Sequence, residues 1–217
     1  GQALQACGRI SGIYLGDYTA GLGALEECRR IMLGSQDEAY PMLHIAHIQA
    51  QQADHASAQE TIAQIRMIGE PVQDRARASL KLVEASLRNA EGARAATRSD
   101  SKAVVTALEA TLDLVDEVNA LVRNSPLVSM QYAIAAQCRA VVALLGLSQM
   151  TRDPELSPAF LERALQAAES AYDQYQYFGF VQIVEVVSEE VFFRYSQALA
   201  ANGQQEPAAR YLRRAYD

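Results

Sequence analysis

Three imidazoles lie close together early in the chain: His44, His47 and His55. His44 and His47 stand three apart, one turn of a helix, a spacing at which two ring nitrogens can share a metal ion. No acidic or thiol side chain completes the set at ligand spacing, so neither a metal nor another cofactor is expected. The pair then reads as groove or surface polarity.

A second grouping is basic. Arg77, Lys81 and Arg88 share a helical stripe with Glu84 between them, and Arg94, Arg98 and Lys102 follow. Such a strip on an acidic protein can draw an anionic ligand or an acidic peptide. The competing reading is a solvated face crossed by Glu–Arg pairs, each contributing only about 0.2–0.5 kcal/mol. That reading is the stronger on sequence alone.

Aromatic residues gather late in the chain. Tyr172, Tyr175, Tyr177, Phe178, Phe180, Phe192, Phe193 and Tyr195 are eight of its fifteen Tyr and Phe. They could anchor a partner or line a small-molecule pocket, with Tyr175, Tyr177 and Phe178 as contact candidates. If they form a core where two long helices meet, Phe192 and Tyr195 should be buried and Tyr175 and Tyr177 partly exposed. No Gly-rich phosphate loop and no Ser-His-Asp or Cys-His arrangement is present, and Asp113, Asp116, Glu117 and Glu185 read as solvated faces. Catalysis is not expected.

Composition bounds what can position these residues. The 217 residues are 50% hydrophobic but only 7% aromatic, with no Trp, which is enough for one sizeable core and typical of helices rich in Ala and Leu. A net charge of −7 argues against a nucleic-acid surface. Cys7, Cys28 and Cys138 form no disulfide framework, which implies a reducing, cytoplasmic setting. Gln131, Gln137 and Arg139 interrupt the most apolar run, Leu127 to Leu147, so no membrane span is expected. The chain reads as one domain over residues 1–217, cut from a longer protein.

Punctuation places the elements. Gly16-Asp17, Ala53-Asp54, Ser99-Asp100-Ser101 and Asn202-Gly203 read as turns within hairpins, while Gly34-Ser35 and Gly69-Glu70-Pro71 close the first two. Ser35 and Glu38 are spaced as a capping box. Ser125-Pro126 and Ser157-Pro158 each set a cap before a first-turn proline. Ala76, Leu80, Val83 and Leu87 make one apolar stripe, and Leu108, Leu112, Val115, Val118 and Leu121 the matching one. The helix after Pro126 should be the most buried. Phe180 to Val187 is β-branched but has no second strand-like run to pair with, so it is assigned to helix. Gly21, Ala46, Ala58, Ala133, Ala136 and Ala208 are the expected close crossings. The result is all-α: about ten helices in roughly five antiparallel hairpins.

Gly16, Tyr18, Leu25 and Cys28 resemble the Gly, Tyr, Phe and small-residue positions of a tetratricopeptide repeat; Ala46, Ala53, Ala58 and Ile62 match a second copy less fully, and Gly203, Ala208, Leu212 and Ala215 a last one. The first hairpin also has about the 34-residue repeat length. The resemblance implies an α-α superhelix with the first helix of each hairpin on the concave face, which would carry His47 and Gln51. It also implies that Tyr18 fills the gap between helices, so that Tyr18→Ala would cost on the order of 3 kcal/mol if that side chain is buried. The Ala- and Leu-rich middle and the ending Tyr195 to Asp217 are similar to the C-terminal arms of large bacterial signalling ATPases of the maltose-regulon-activator type. The expected role is therefore a protein-interaction or effector-sensing scaffold in signalling or transcription regulation, binding a protein, a peptide or a small effector in its groove. The alternatives are a small-molecule receptor with an aromatic-lined pocket, or a self-assembly module forming a homodimer.

Overall fold

The computed structural model describes residues 2–35, 37–69, 73–125, 130–151, 153, 155–178, 182–183 and 186–216, without the side chains of residues 2, 14, 178, 182–183 and 186–188. Pro71, Pro126 and Phe180 lie outside the described residues.

Among the described residues the chain forms ten α-helices: α1 (Gln2–Arg9), α2 (Tyr18–Met32), α3 (Ala39–Gln51), α4 (His55–Ile68), α5 (Asp74–Thr97), α6 (Ser101–Asn124), α7 (Met130–Met150), α8 (Leu156–Phe178), α9 (Ser188–Ala201) and α10 (Gln205–Tyr216). The all-α class of helical hairpins holds. A π-helical turn, Ile10–Tyr14, extends α1.

One turn recurs. Gly16, Ala53, Ser99 and Gly203 take positive φ of 69°, 59°, 57° and 78° after α1, α3, α5 and α9. The next N–H then reaches back into the finished helix: Asp54 to the Gln49 carbonyl (2.9 Å), Asp100 to Ala95 (3.0 Å) and Gln204 to Leu199 (2.9 Å). This satisfies carbonyls that a helix end leaves without partners. Asp17 reaches one residue further, to Ser11 (2.8 Å), because the π turn inserts a residue. In three of the four turns an Asp then caps the second helix: Asp17, Asp54 and Asp100 accept from the N–H of Ala20, Ser57 and Ala103.

Three local expectations change. Ser157, expected to cap the helix that Pro158 opens, lies inside α8, and its Oγ donates to the Ser148 carbonyl (2.9 Å). Ser35 and Glu38 do not form a reciprocal box: Glu38 is itself the residue before α3, its carboxylate accepts from Gly34 N–H (2.7 Å), and Ser35 Oγ accepts from Asp37 N–H (3.3 Å). Within 180–187, expected as helix, Gln182–Ile183 (β1) pairs antiparallel with Val186–Val187 (β2). The β-branched run supplies its own pairing partner by folding back on itself, so no second run is needed.

Contacts divide the chain into two compact units, Gly1–Val83 and Glu84–Asp217. In the first, α3 is buried at every residue from Pro41 to Ile48. A glycine crossing joins α2 to α1 and its π turn: a Cβ on Gly21 would stand 2.4 Å from Gly12 Cα and 3.0 Å from the Gly8 carbonyl. Tyr18 is half-buried, which lowers the expected cost of Tyr18→Ala to about 1–2 kcal/mol.

In the second unit α7 has thirteen buried residues, the largest set of any helix, although α3 buries a greater share of its length. Among the described residues α7 is the one helix long and apolar enough to cross a membrane; here it packs against α6, α8 and α9. Leu108 of α6 seats between Gly92 of α5 and Gly146 of α7, where an added Cβ would come within 2.9 and 2.6 Å of its methyls. The six predicted crossing residues are all buried.

Candidate functional site

The α5–α6 turn builds a roomy surface site. Ser99 at φ 57° reverses the chain, and Asp100 caps α6. Arg98 and Lys102 are thereby held on either side of the reversal. Along α5, Arg88, Glu91 and Ala95 fall at helical steps on one face, with Arg98 just past the helix end, and along α6, Ala103, Ala107 and Ala110 do the same. Together they line a groove of about 720 Å³.

Its charges are unequally engaged. Arg88 Nη1 is 2.6 Å from Glu91 Oε2. The Asp100 carboxylate accepts from Ala103 N–H. Arg98 and Lys102, both exposed, form no ion pair among the described residues. The rim is therefore locally cationic on a chain of net charge −7.

The structure thus gathers part of the basic strip and disperses the rest. Arg88, Arg98 and Lys102 share the groove, whereas Arg94 is exposed outside its lining. Arg77 pairs with Asp74 at the start of α5, and Lys81 is half-buried; both belong to the first unit. Arg77–Asp74 and Arg88–Glu91 are the neighbouring pairs that a solvated face predicts.

The histidines are not surface groups. His44 and His47 are 8% and 4% exposed, because α3 is covered on nearly every side, while Gln51 at its end is exposed. Gln5 Nε2 donates to His44 Nε2 (3.2 Å), which places the His44 proton on Nδ1. Nδ1 is buried with no hydrogen-bond partner, as are Tyr40 Oη and Arg9 Nε. Burial, with Arg9, His47 and Arg75 adding to it, pushes the His44 pKa down to about 3. The ring is a neutral core group. Among the described residues no three His, Cys, Asp or Glu gather as a metal-ligand set.

The aromatic cluster is a packing unit that includes a ring the sequence reading missed. Tyr172 stacks on Tyr195 with centroids 5.0 Å apart, Tyr211 meets both, and Phe192 meets Tyr172 and Tyr175. Phe192 is buried, Tyr195 and Tyr175 are half-buried, and Tyr177 is 85% exposed. Tyr195 is thus more open than a core position would be, although Tyr172 and Tyr211 both pack against its ring. Arg214 lies 4.7 Å from the Phe192 centroid. A hydrogen bond with Tyr172, and then burial, push the Tyr211 pKa up to about 12. Phe178 ends α8, and its side chain lies outside the described residues.

Sequence reasoning also missed a buried ionic network in the second unit. Arg139 of α7 donates from Nη1 to Glu190 Oε1 of α9 (2.9 Å) and from Nε to Ser86 Oγ of α5 (2.7 Å). Arg194 Nη2 donates to the same Glu190 oxygen (3.1 Å). Asn89 Nδ2 donates to the Arg139 carbonyl, and Thr111 Oγ1 donates to Asn89 Oδ1. Burial alone would raise the Glu190 pKa, but Arg139 and Arg194 more than offset it and hold the carboxyl below its ordinary value. Burial pushes the adjacent Cys138 thiol up to about 12, so it is inert as a nucleophile. The signal was Arg139 itself, a charge inside the most apolar helix.

No protein-family model matches the chain, and no curated protein matches it.

Proposed function

We propose that this chain is a protein-interaction or effector-sensing scaffold, with the α5–α6 groove as its contact surface. One observation carries the reading: Arg98 and Lys102, two exposed cations with no ion pair among the described residues, stand beside an alanine-lined depression of about 720 Å³. Buried polar groups elsewhere in the second unit are largely engaged in structure: Arg139, Glu190 and Asn89 bond to one another's helices, and the aromatic rings pack on each other. In the α5–α6 groove, by contrast, charged side chains face outward. Occupancy would influence a larger assembly only through different affinities for its two states.

The test is fluorescence anisotropy of a labelled, mixed-composition peptide library against the chain and against Thr106→Trp, which fills the groove from an exposed position. Saturable binding that this substitution abolishes is expected. Binding that persists unchanged in the variant would rule out the groove as the contact surface.

A further inference from the structure

We infer that the α5–α6 groove takes an acidic helical segment of a partner protein; this deepens the proposed function and rests on it. The first argument is charge. Arg88 is paired with Glu91, and the Asp100 carboxylate caps α6 while keeping its charge, so the lining holds three cations (Arg88, Arg98, Lys102) against two carboxylates (Glu91, Asp100), with Arg98 and Lys102 in no ion pair among the described residues. They face a surrounding surface of opposite net sign, which steers an acidic ligand to this rim and repels it elsewhere.

The second argument is backbone satisfaction. Both walls are helices, whose interior N–H and C=O groups are bonded within the helix, and the floor is Ala95, Ala103, Ala107 and Ala110. An extended peptide would meet no strand edge there, and its main-chain groups would lack partners. A helix brings its own hydrogen bonds. Alanine walls also permit close helix approach, because nothing beyond Cβ holds the partner away.

The third argument is length. Arg88 to the end of α5 at Thr97 is nine helical steps, about 14 Å at 1.5 Å per residue, with Arg98 one residue beyond. That suits about three turns of partner helix, with carboxylates at one end beside Arg98 and Lys102 and small aliphatic residues over the alanines. A single-stranded nucleic acid is a poorer fit, since the lining holds no aromatic ring on which a base could stack.

The experiment titrates the chain with three labelled helical peptides of about fifteen residues, identical in their Ala and Leu positions and carrying Glu, Gln or Lys at the remainder. Anisotropy is read at about 50 mM and about 500 mM salt, where charge screening differs strongly. The expected result is that the Glu peptide binds at least tenfold tighter than the Lys peptide, with the gap closing at high salt. Arg98→Glu with Lys102→Glu should weaken the Glu peptide about tenfold and leave the melting temperature unchanged, since both residues are exposed. Equal affinity for the Glu and Lys peptides, or no effect of the double variant, overturns the inference. If the Gln peptide binds best and Thr106→Trp abolishes it, the acidic partner fails while the groove survives. If none of the three binds, both fall. A thymidine oligomer that displaces the Glu peptide would assign the rim to nucleic acid and overturn the proposal.

Discussion

The two units bury polar groups in opposite ways. In the second, the Arg139 charge meets the Glu190 carboxylate, Ser86 and, through Glu190, Arg194, so burial is compensated. In the first, His44 is buried beside Arg9, His47 and Arg75, and neutrality is the way it avoids a penalty. A compensated network keeps its stability until its carboxylate is protonated, whereas a histidine held neutral loses stability as soon as the unfolded chain can take up a proton. The units should therefore differ in what breaks them.

Packing rigidity gives the largest expected contrast. Gly21→Ala drives a Cβ into Gly12 backbone atoms that cannot step aside, whereas Gly146→Ala meets a methyl of Leu108. We expect Gly21→Ala to cost more than about 3 kcal/mol and Gly146→Ala about 1, read from urea unfolding. Equal costs would mean that the glycine crossing yields as easily as a leucine side chain.

Removing one ionic partner comes next. Glu190→Ala leaves Arg139 buried without its carboxylate and should cost about 3 kcal/mol, at the lower end for such a pair because Glu190 keeps 22% of its side chain exposed. Arg139→Met with Glu190→Leu should recover part of that loss. A double variant as unstable as the single would show that the network is more than a compensated pair.

Acidification should separate the units without mutation. The unfolded chain binds a proton on His44 below about pH 6.5 while the folded chain does not until about pH 3, so stability falls across that window. Between pH 7 and pH 5 this amounts to about 2 kcal/mol. Glu190 has the opposite history: its folded pKa is depressed, so its contribution is present above the ordinary carboxylate value of 4.5 and is lost only as pH falls below it. Hydrogen exchange at pH 5 should thus rise in α3 before α9, and His44→Leu should remove the α3 response. Simultaneous loosening of both helices would contradict this ordering.

The smallest effect is a single hydroxyl. Thr111→Val removes a donor from Asn89 Oδ1 in a fully buried setting and should cost about 1 kcal/mol in thermal melting.

What sequence could reveal follows from the range of the interactions. The hairpin turns were legible because Gly16, Gly203 and the capping Asp residues act within a few positions of themselves. The stripe Ala76, Leu80, Val83 and Leu87 was legible because period alone marks a buried face. Arg139 and Glu190 are 51 positions apart, and nothing local pairs them. The burial of His44 and His47 depends on neighbours covering both sides of α3, which spacing within α3 cannot disclose. The groove was half legible: the basic residues stood out, but which of them were already paired depended on Asp74 and Glu91 one turn away.

The most direct test of the binding account is hydrogen exchange measured with and without the Glu-bearing helical peptide. Slowed exchange confined to residues 88–110, with α3 unaffected, is the predicted result. Slowed exchange centred on His47 and Gln51, or none anywhere at saturating peptide, would contradict the assignment of the groove.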